Sequence, residues 1–314
     1  MYATFLLIIG LLFLYYGGDL LVKGSVGLAL RFKISTLVVG MTIMSFSTSC
    51  PELFVTVQAL FSESSNIALG NVIGSNIANI ALVIAVTALI FKLKISQQTI
   101  RIDYPFMIIV TVLFGLILYY FKQINYIVGL FFIFSISYFS YFLISKSKND
   151  NGFISHNINN EYKNTLLHNI VLLILGILLL KFGADYLVDG AILIANKFGV
   201  SDRVIAVSVI AIGTSLPELV ASVIAAYRKE SSLAIGNIIG SNIFNILIVL
   251  GISSLIKTIK IEDYAILNVD YLWMMLIFIL LGIFIYCSKN QQISRYQGGI
   301  LLLCYVYYIF SSIV

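Results

Sequence analysis

Charge is scarce in this chain. Asp, Glu, Lys and Arg make up 11% of its 314 residues, and 60% are hydrophobic. Soluble domains carry about 25% charged residues, which excludes an ordinary soluble enzyme or binding module. Mean hydropathy is +1.03. Cysteine is limited to Cys50, Cys287 and Cys304, all in or beside apolar segments. Their spacing fits neither a disulfide framework nor a metal site, so they read as packing residues. The two histidines, His156 and His168, flank a polar stretch and read as solvated loop residues. No basic residue precedes Lys23, so the first apolar segment lacks the positive start of a cleaved signal peptide and reads as a retained helix. The net charge of +5 gives no reason to expect nucleic acid.

Long apolar runs dominate instead. Runs of roughly 20 residues can each cross a hydrocarbon core of ~30 Å. Ten spans are predicted, near 3–22, 34–62, 67–91, 103–121, 124–145, 166–187, 200–228, 233–257, 264–286 and 296–314. Spans two and seven are long, which fits tilted or broken helices. The longest polar connection, 146–165, is rich in Asn, Lys and Ser. With loops assigned to alternate sides, 13 of the 19 Lys and Arg fall on the side of that linker. The positive-inside rule then puts the linker in the cytoplasm and both termini outside.

Two glutamates interrupt the apolar background, each inside nearly the same string. Ser47-Thr48-Ser49-Cys50-Pro51-Glu52 is matched by Gly213-Thr214-Ser215-Leu216-Pro217-Glu218. A second shared string follows each: Gly70-Asn71-Val72-Ile73-Gly74-Ser75-Asn76, and Gly236-Asn237-Ile238-Ile239-Gly240-Ser241-Asn242. The offset is 218 − 52 = 166, and it also aligns Gly17 with Gly183, Asp19 with Asp185, and Asn79 with Asn245. The chain therefore reads as two homologous five-span halves, residues 1–145 and 166–314, with motif regions at 45–80 and 211–246. An odd number of spans starts the second half on the opposite side, which predicts an all-α membrane protein of two inverted repeats. In such architectures the site lies near the midplane, between the repeats.

An acid near a bilayer centre costs on the order of 3 kcal/mol or more, so it marks function by default. Pro51 and Pro217 are expected to free carbonyls close to the glutamates, around Ser45 and Ala211 or just after. Thr48, Ser49, Thr214 and Ser215 bring hydroxyls into the same turn. Ser75 and Asn79 share one helix face, as do Ser241 and Asn245. The glycines at 70, 74, 236 and 240 are expected to let their helices pack closely. Carboxylate, amide, hydroxyl and carbonyl oxygens without His or Cys favour Ca²⁺ and Na⁺ over zinc or copper. Two facing carboxylates in a low-dielectric cavity repel unless neutralised by one Ca²⁺, two Na⁺ or two protons, which predicts coupled exchange rather than a leak. Asn71, Asn76, Asn237 and Asn242 read as interhelical glue, Asp19 and Asp185 as capping or gate-packing residues, and Lys181 as a snorkelling residue. Other readings are a passive cation channel and, prompted by Gly18-Asp19, an intramembrane aspartyl protease. The channel lacks a reason for paired broken-helix repeats, and the protease lacks a second catalytic motif.

At these strings the chain resembles the cation/Ca²⁺ exchanger superfamily, in its sodium/calcium exchanger branch of prokaryotic type. The resemblance implies a membrane antiporter rather than an enzyme, with no cofactor and a single copy as the working unit. It implies that Glu52 and Glu218 are the central Ca²⁺ ligands. Thr48, Ser49, Ser75, Thr214, Ser215 and Ser241, with carbonyls near Ser45 and Ala211, would flank them in Na⁺ sites, and the first and sixth helices would slide. Ser47 and Cys50 depart from the family's usual Gly and larger apolar residue. Asn245 stands where archaeal exchangers and the potassium-dependent branch tend to carry Asp, which implies no K⁺ requirement. Asn79 and Asn245 with two glutamates also resemble the H⁺/Ca²⁺ exchangers, so Na⁺ and H⁺ both remain open as counter-ion.

Overall fold

The computed structural model of the chain describes residues 2–149, 165–198, 211–288 and 290–313. Helices account for nearly all of it: α1 (Tyr2–Phe32), α2 (Thr36–Thr48), α3 (Cys50–Phe61), α4 (Ser65–Ile90), α5 (Thr99–Phe121), α6 (Tyr126–Asn149) and α7 (Leu166–Lys197). The rest are α8 (Ala211–Thr214), α9 (Leu216–Tyr227), α10 (Ser231–Ile256), α11 (Ile266–Cys287) and α12 (Arg295–Ile313). By length and composition, seven of these can cross a bilayer, and the bent α2–α3 pair makes an eighth. The two remaining predicted spans correspond to α8 with α9, whose preceding residues 199–210 lie outside the described ones, and to the 19-residue α12.

Two spans differ from their predicted length. α1 and α7 run for 31 and 32 residues, about 47 Å at 1.5 Å per residue, and so exceed a bilayer core. The hydropathy pattern stops near 22 and 187 because charged residues enter there. The helices continue because each leans on the other along a ladder of small residues. A Cβ at Gly10 would stand 2.8 Å from the Leu187 nitrogen, at Gly17 2.7 Å from the Leu180 nitrogen, and at Gly24 2.9 Å from the Asn169 oxygen. Only glycine permits this backbone approach, and the descending partner numbers show that the pair is antiparallel. His168 lies in the first turn of α7 and is exposed there, not in a loop; Thr165 caps that turn by accepting from the His168 N–H at 3.3 Å. His156 and most of the 146–165 linker fall outside the described residues. Cys287 is exposed at the end of α11, which corrects its reading as a packing residue, while Cys50 and Cys304 are half-buried.

Contacts repeat when the two halves are exchanged. Gly10 meets Gly183, and their repeat mates Gly176 and Gly17 meet each other. Tyr104 donates to the Phe278 carbonyl at 2.9 Å, and Tyr271 to the Thr111 carbonyl at 3.2 Å. Two-residue strands behave alike. β1 (Leu93–Lys94) pairs antiparallel with β4 (Gln292–Ile293), and β2 (Gln123–Ile124) with β3 (Ile259–Lys260). Helices α4 and α10, which carry the glycine-asparagine strings, are the most buried, whereas α6 and α7 turn many apolar side chains outward.

Candidate ion-binding site

The prolines do not sit inside helices. α2 ends at Thr48, Ser49 leaves helical geometry (φ −84°, ψ 2°), and α3 restarts at Cys50 with Pro51 in its first turn. The bend is 41°. The second copy does the same: Ser215 (φ −89°, ψ 1°) separates α8 from α9, with Pro217 in the first turn. Proline is well tolerated there because its missing N–H would have had no helical partner. Each break places a glutamate in the first turn of a new helix, where the positive end of the helix dipole and unpaired N–H groups favour an anion.

This geometry corrects one expectation. The Ser45 carbonyl is not freed: it accepts from the Ser49 N–H at 2.9 Å and lies 3.4 Å from the Thr48 hydroxyl. The Ser45 hydroxyl donates to the Gly40 carbonyl at 2.8 Å. Because Pro51 starts a helix, the turn before it keeps its own bonds. Ala211 heads α8 directly after the residues outside the description.

Glu52, Glu218, Asn79 and Asn245 are all 0% exposed. Both oxygens of each carboxylate lack a hydrogen-bond partner among the described residues, as do the Ser49 and Ser215 hydroxyls, both polar atoms of Asn79, and Oδ1 of Asn245. Buried polar groups without partners are rare and call for an explanation. Glu52 and Glu218 are close enough to interact electrostatically, and the Thr48 and Ser49 hydroxyls lie beside the Glu218 carboxylate. Among the described residues no cluster of three or more His, Cys, Asp or Glu is present. A cation here would meet two carboxylates and neutral oxygens, which is the hard, oxygen-only donor set that Ca²⁺ and Na⁺ prefer.

The surrounding bonds hold this set in place. Thr48 Oγ1 lies 3.2 Å from Asn237 Oδ1 and 3.3 Å from Ser241 Oγ, tying the end of α2 to α10. Asn71 donates to the Glu52 carbonyl at 3.2 Å and to Thr56 at 3.0 Å; its repeat mate Asn237 donates to Ser222 at 3.1 Å. Asn76 donates to the Asn242 carbonyl at 3.3 Å and accepts from Asn245 at 3.1 Å. Asn245 is thus half glue and half open oxygen. Ser75 is buried on the same helix as Asn79. Gly236 and Gly240 press α10 onto α2, within 2.5 Å of the Leu37 oxygen and 2.8 Å of the Met41 Cα for an added Cβ. The positions that the repeat sets against Gly70 and Gly74 fall at 203–211, mostly outside the described residues. Sequence reasoning missed the π-helical turns that begin at Asn79 and Asn245. Such turns re-aim side chains and recur at functional sites, but no residue pattern announces them.

A cavity lies beside the two helix breaks that carry the glutamates. It measures about 420 Å³ and is bounded by Pro51 and Phe54 of α3, Ala184 and Asp185 of α7, and Gly213 and Pro217. Lys181 also lines it and pairs with Asp185 at 3.4 Å, rather than simply reaching for the interface. On the other face, Asp19 of α1 binds Arg228, accepting from Nε at 2.7 Å, and Lys23 at 3.1 Å. Asp19 therefore ties α1 to the end of α9.

The comparisons with known proteins agree with this architecture. A family described as "Sodium/calcium exchanger protein" matches residues 2–145 and 168–314. The Escherichia coli inner membrane protein YrbG is 34% identical, over 95% of this chain and 93% of that protein. The sodium/calcium exchanger MaX1 of Methanosarcina acetivorans is 31% identical, over 97% and 96%. The solved structure of the sodium-calcium exchanger NCX_Mj, soaked with Na⁺ and Ca²⁺, superimposes with a TM-score of 0.83 at 30% identity, covering 99% of this chain and 98% of that one. A duplicated, oxygen-lined acid pair inside a helical membrane fold, with a full-length family match, makes this chain a member of the sodium/calcium exchanger family.

Proposed function

We propose that the protein is a secondary antiporter that exchanges Ca²⁺ for Na⁺ across the cell membrane by alternating access. The observation that carries this reading is the pair of fully buried glutamates, related by the repeat and without a hydrogen-bond partner for either carboxylate among the described residues. Bare, the pair repels itself and each member lacks hydration; one Ca²⁺ or two Na⁺ would balance it. Only balanced states then close and reopen on the other face, and this couples the two ions. Glu52 and Glu218 are the central ligands. Asn79, Asn245, Ser49 and Ser215 add open oxygens, and Thr48, Ser75, Thr214, Ser241 and the Ala211 carbonyl complete the flanking positions.

The same reading takes the chain as ten spans in two inverted repeats, 1–145 and 166–314. The exchanged pairs of contacts and the five helical units in each half support it. The termini lie outside, the 146–165 linker lies in the cytoplasm, and one copy suffices. α7 then enters from the cytoplasm, so the cavity beside Asp185 faces outward. An amide at 245 in place of a carboxylate leaves K⁺ without a charged ligand, and the exchanger works without it.

The test uses the protein in liposomes. Uptake of ⁴⁵Ca²⁺ driven by a Na⁺ gradient, unchanged by added K⁺ and lost in Glu52→Gln and Glu218→Gln, is the expected result. Wild-type flux in either variant would refute the site. Two buried carboxylates can also carry two protons, which is the ground for an H⁺/Ca²⁺ antiporter as the second reading. Uptake driven by a pH gradient and not by Na⁺ would select it.

A further inference from the structure

The repeat places identical roles on two faces, but it does not place identical chemistry there. Asp19 maps to Asp185, Lys23 to Asp189 and Arg228 to Ser62 at the offset of 166. On the Asp19 face an acid on α1 is held from across the gate by Arg228, which follows α9, and from its own helix by Lys23. Asp19 is only 17% exposed at its side chain, so the charge-assisted bonds are partly shielded from water. Gly18 beside it is in contact range of α9: an added Cβ would stand 2.6 Å from Ile224 Cδ1.

The Asp185 face has the same backbone plan, and among the described residues no bond closes it from across the cavity. Among the described residues Asp185 is bonded only along its own helix by Lys181, at 3.4 Å, with both side chains about half exposed. Ala184, the mate of Gly18, and Phe54, the mate of Val220, stand on the walls of the 420 Å³ cavity. If this face shut as the other has, Asp185 would come toward Ser62, whose short hydroxyl cannot span what a guanidinium spans. Asp189 would add a second negative charge where the closed face has Lys23.

We infer that Arg228 and Asp19 form a lock present on one face only, and that this inequality holds the ion-free protein with its Asp185 vestibule open. The lock is a property of residue 228 against residue 62, so it can be removed from one face or installed on the other. It rests on the antiporter reading, in which the faces open alternately.

The experiment reads accessibility rather than flux. A single reporter, Val188→Cys on the cavity wall, is placed in a full-length protein with Cys50, Cys287 and Cys304 changed to Ser. The protein is reconstituted in liposomes without Na⁺ or Ca²⁺ and labelled with a membrane-impermeant maleimide from each side. Arg228→Ser should slow labelling at least fivefold, while Arg228→Lys, which keeps the charge, should retain most of the parent rate. Ser62→Arg, on an exposed helix end, should also slow labelling, because it supplies Asp185 with the missing partner in the closed vestibule. If Arg228→Ser does not fold, Ser62→Arg decides alone. Parent-like labelling in both variants overturns the lock. A parent protein that shows no gradient-driven Ca²⁺ uptake would instead sink the antiporter reading.

Discussion

The Asp19 face and the Asp185 face are built from the same repeated string, yet one is bridged by the Asp19–Arg228 pair and the other borders a cavity of about 420 Å³. The glycine ladder between α1 and α7 is symmetric to within a few tenths of an ångström. The bonds that fasten the ladder to the rest of the molecule are not. A repeat protein that is open on one face and closed on the other has to break its own symmetry. Here the break coincides with a difference in sequence, Arg228 against Ser62.

Six substitutions, in four groups, sharpen or break this comparison. The largest effect is expected at the shared site. Glu52→Gln or Glu218→Gln should reduce ⁴⁵Ca²⁺ exchange by about 100-fold or more whichever face Ca²⁺ enters from, because in the proposed mechanism both faces use the same two carboxylates. A variant that spared entry from one face would divide the site in two. Next is Ala184→Trp, which fills the vestibule wall opposite Phe54. It should cut exchange from that face by roughly tenfold and leave the Asp19 face's apparent affinity nearly unchanged; ⁴⁵Ca²⁺ uptake in oriented liposomes measures both.

Gly17→Ala and Gly183→Ala act on the ladder. Their new methyl groups meet backbone nitrogens at 2.7 Å, which cannot yield without moving a helix. Each should cost about 1–3 kcal/mol, as overpacking does, seen as a lower unfolding midpoint in detergent. Equal losses are expected, since the ladder is the symmetric part. Smallest is Asn76→Ala. It removes two interhelical bonds, to Asn242 and Asn245, at about 0.6–1.7 kcal/mol for bonds of this kind in membranes. A loss above that range in thermal unfolding would mean that Asn76 does more than hold α4 to α10.

Much of this was readable from residue order alone. The break in span two could be anticipated from Pro51 and from the length of the apolar run, and the burial of Glu52 and Glu218 from their apolar neighbours. Asn71, Asn76 and Asn237 stand out because the motif repeats them, and they do make the interhelical bonds expected of them, whereas the Asn242 amide donates along its own helix to the Ile238 carbonyl at 2.7 Å. The role of Pro51 was less legible. A proline inside an apolar run reads equally well as a kink in one helix or as the first turn of a second. Ser49, by leaving helical geometry, selects the second, and this keeps the Ser45 carbonyl engaged. Nor could hydropathy follow α1 past residue 22, because Lys23 and Arg31 look like the end of a span when read without their neighbours.

By itself the sequence determined the duplication, the membrane class, the acid pair and the oxygen-only chemistry around it, because each follows from residue type, spacing and the cost of charge in lipid. The tertiary structure decided which face borders a cavity, what Asp19 holds and, among the described residues, Asp185 does not, and where the asparagines unwind their helices. Those depend on contacts between residues some 200 positions apart, such as Asp19 and Arg228. Two copies of one motif carry the same local instructions, and only their packing against different neighbours tells them apart.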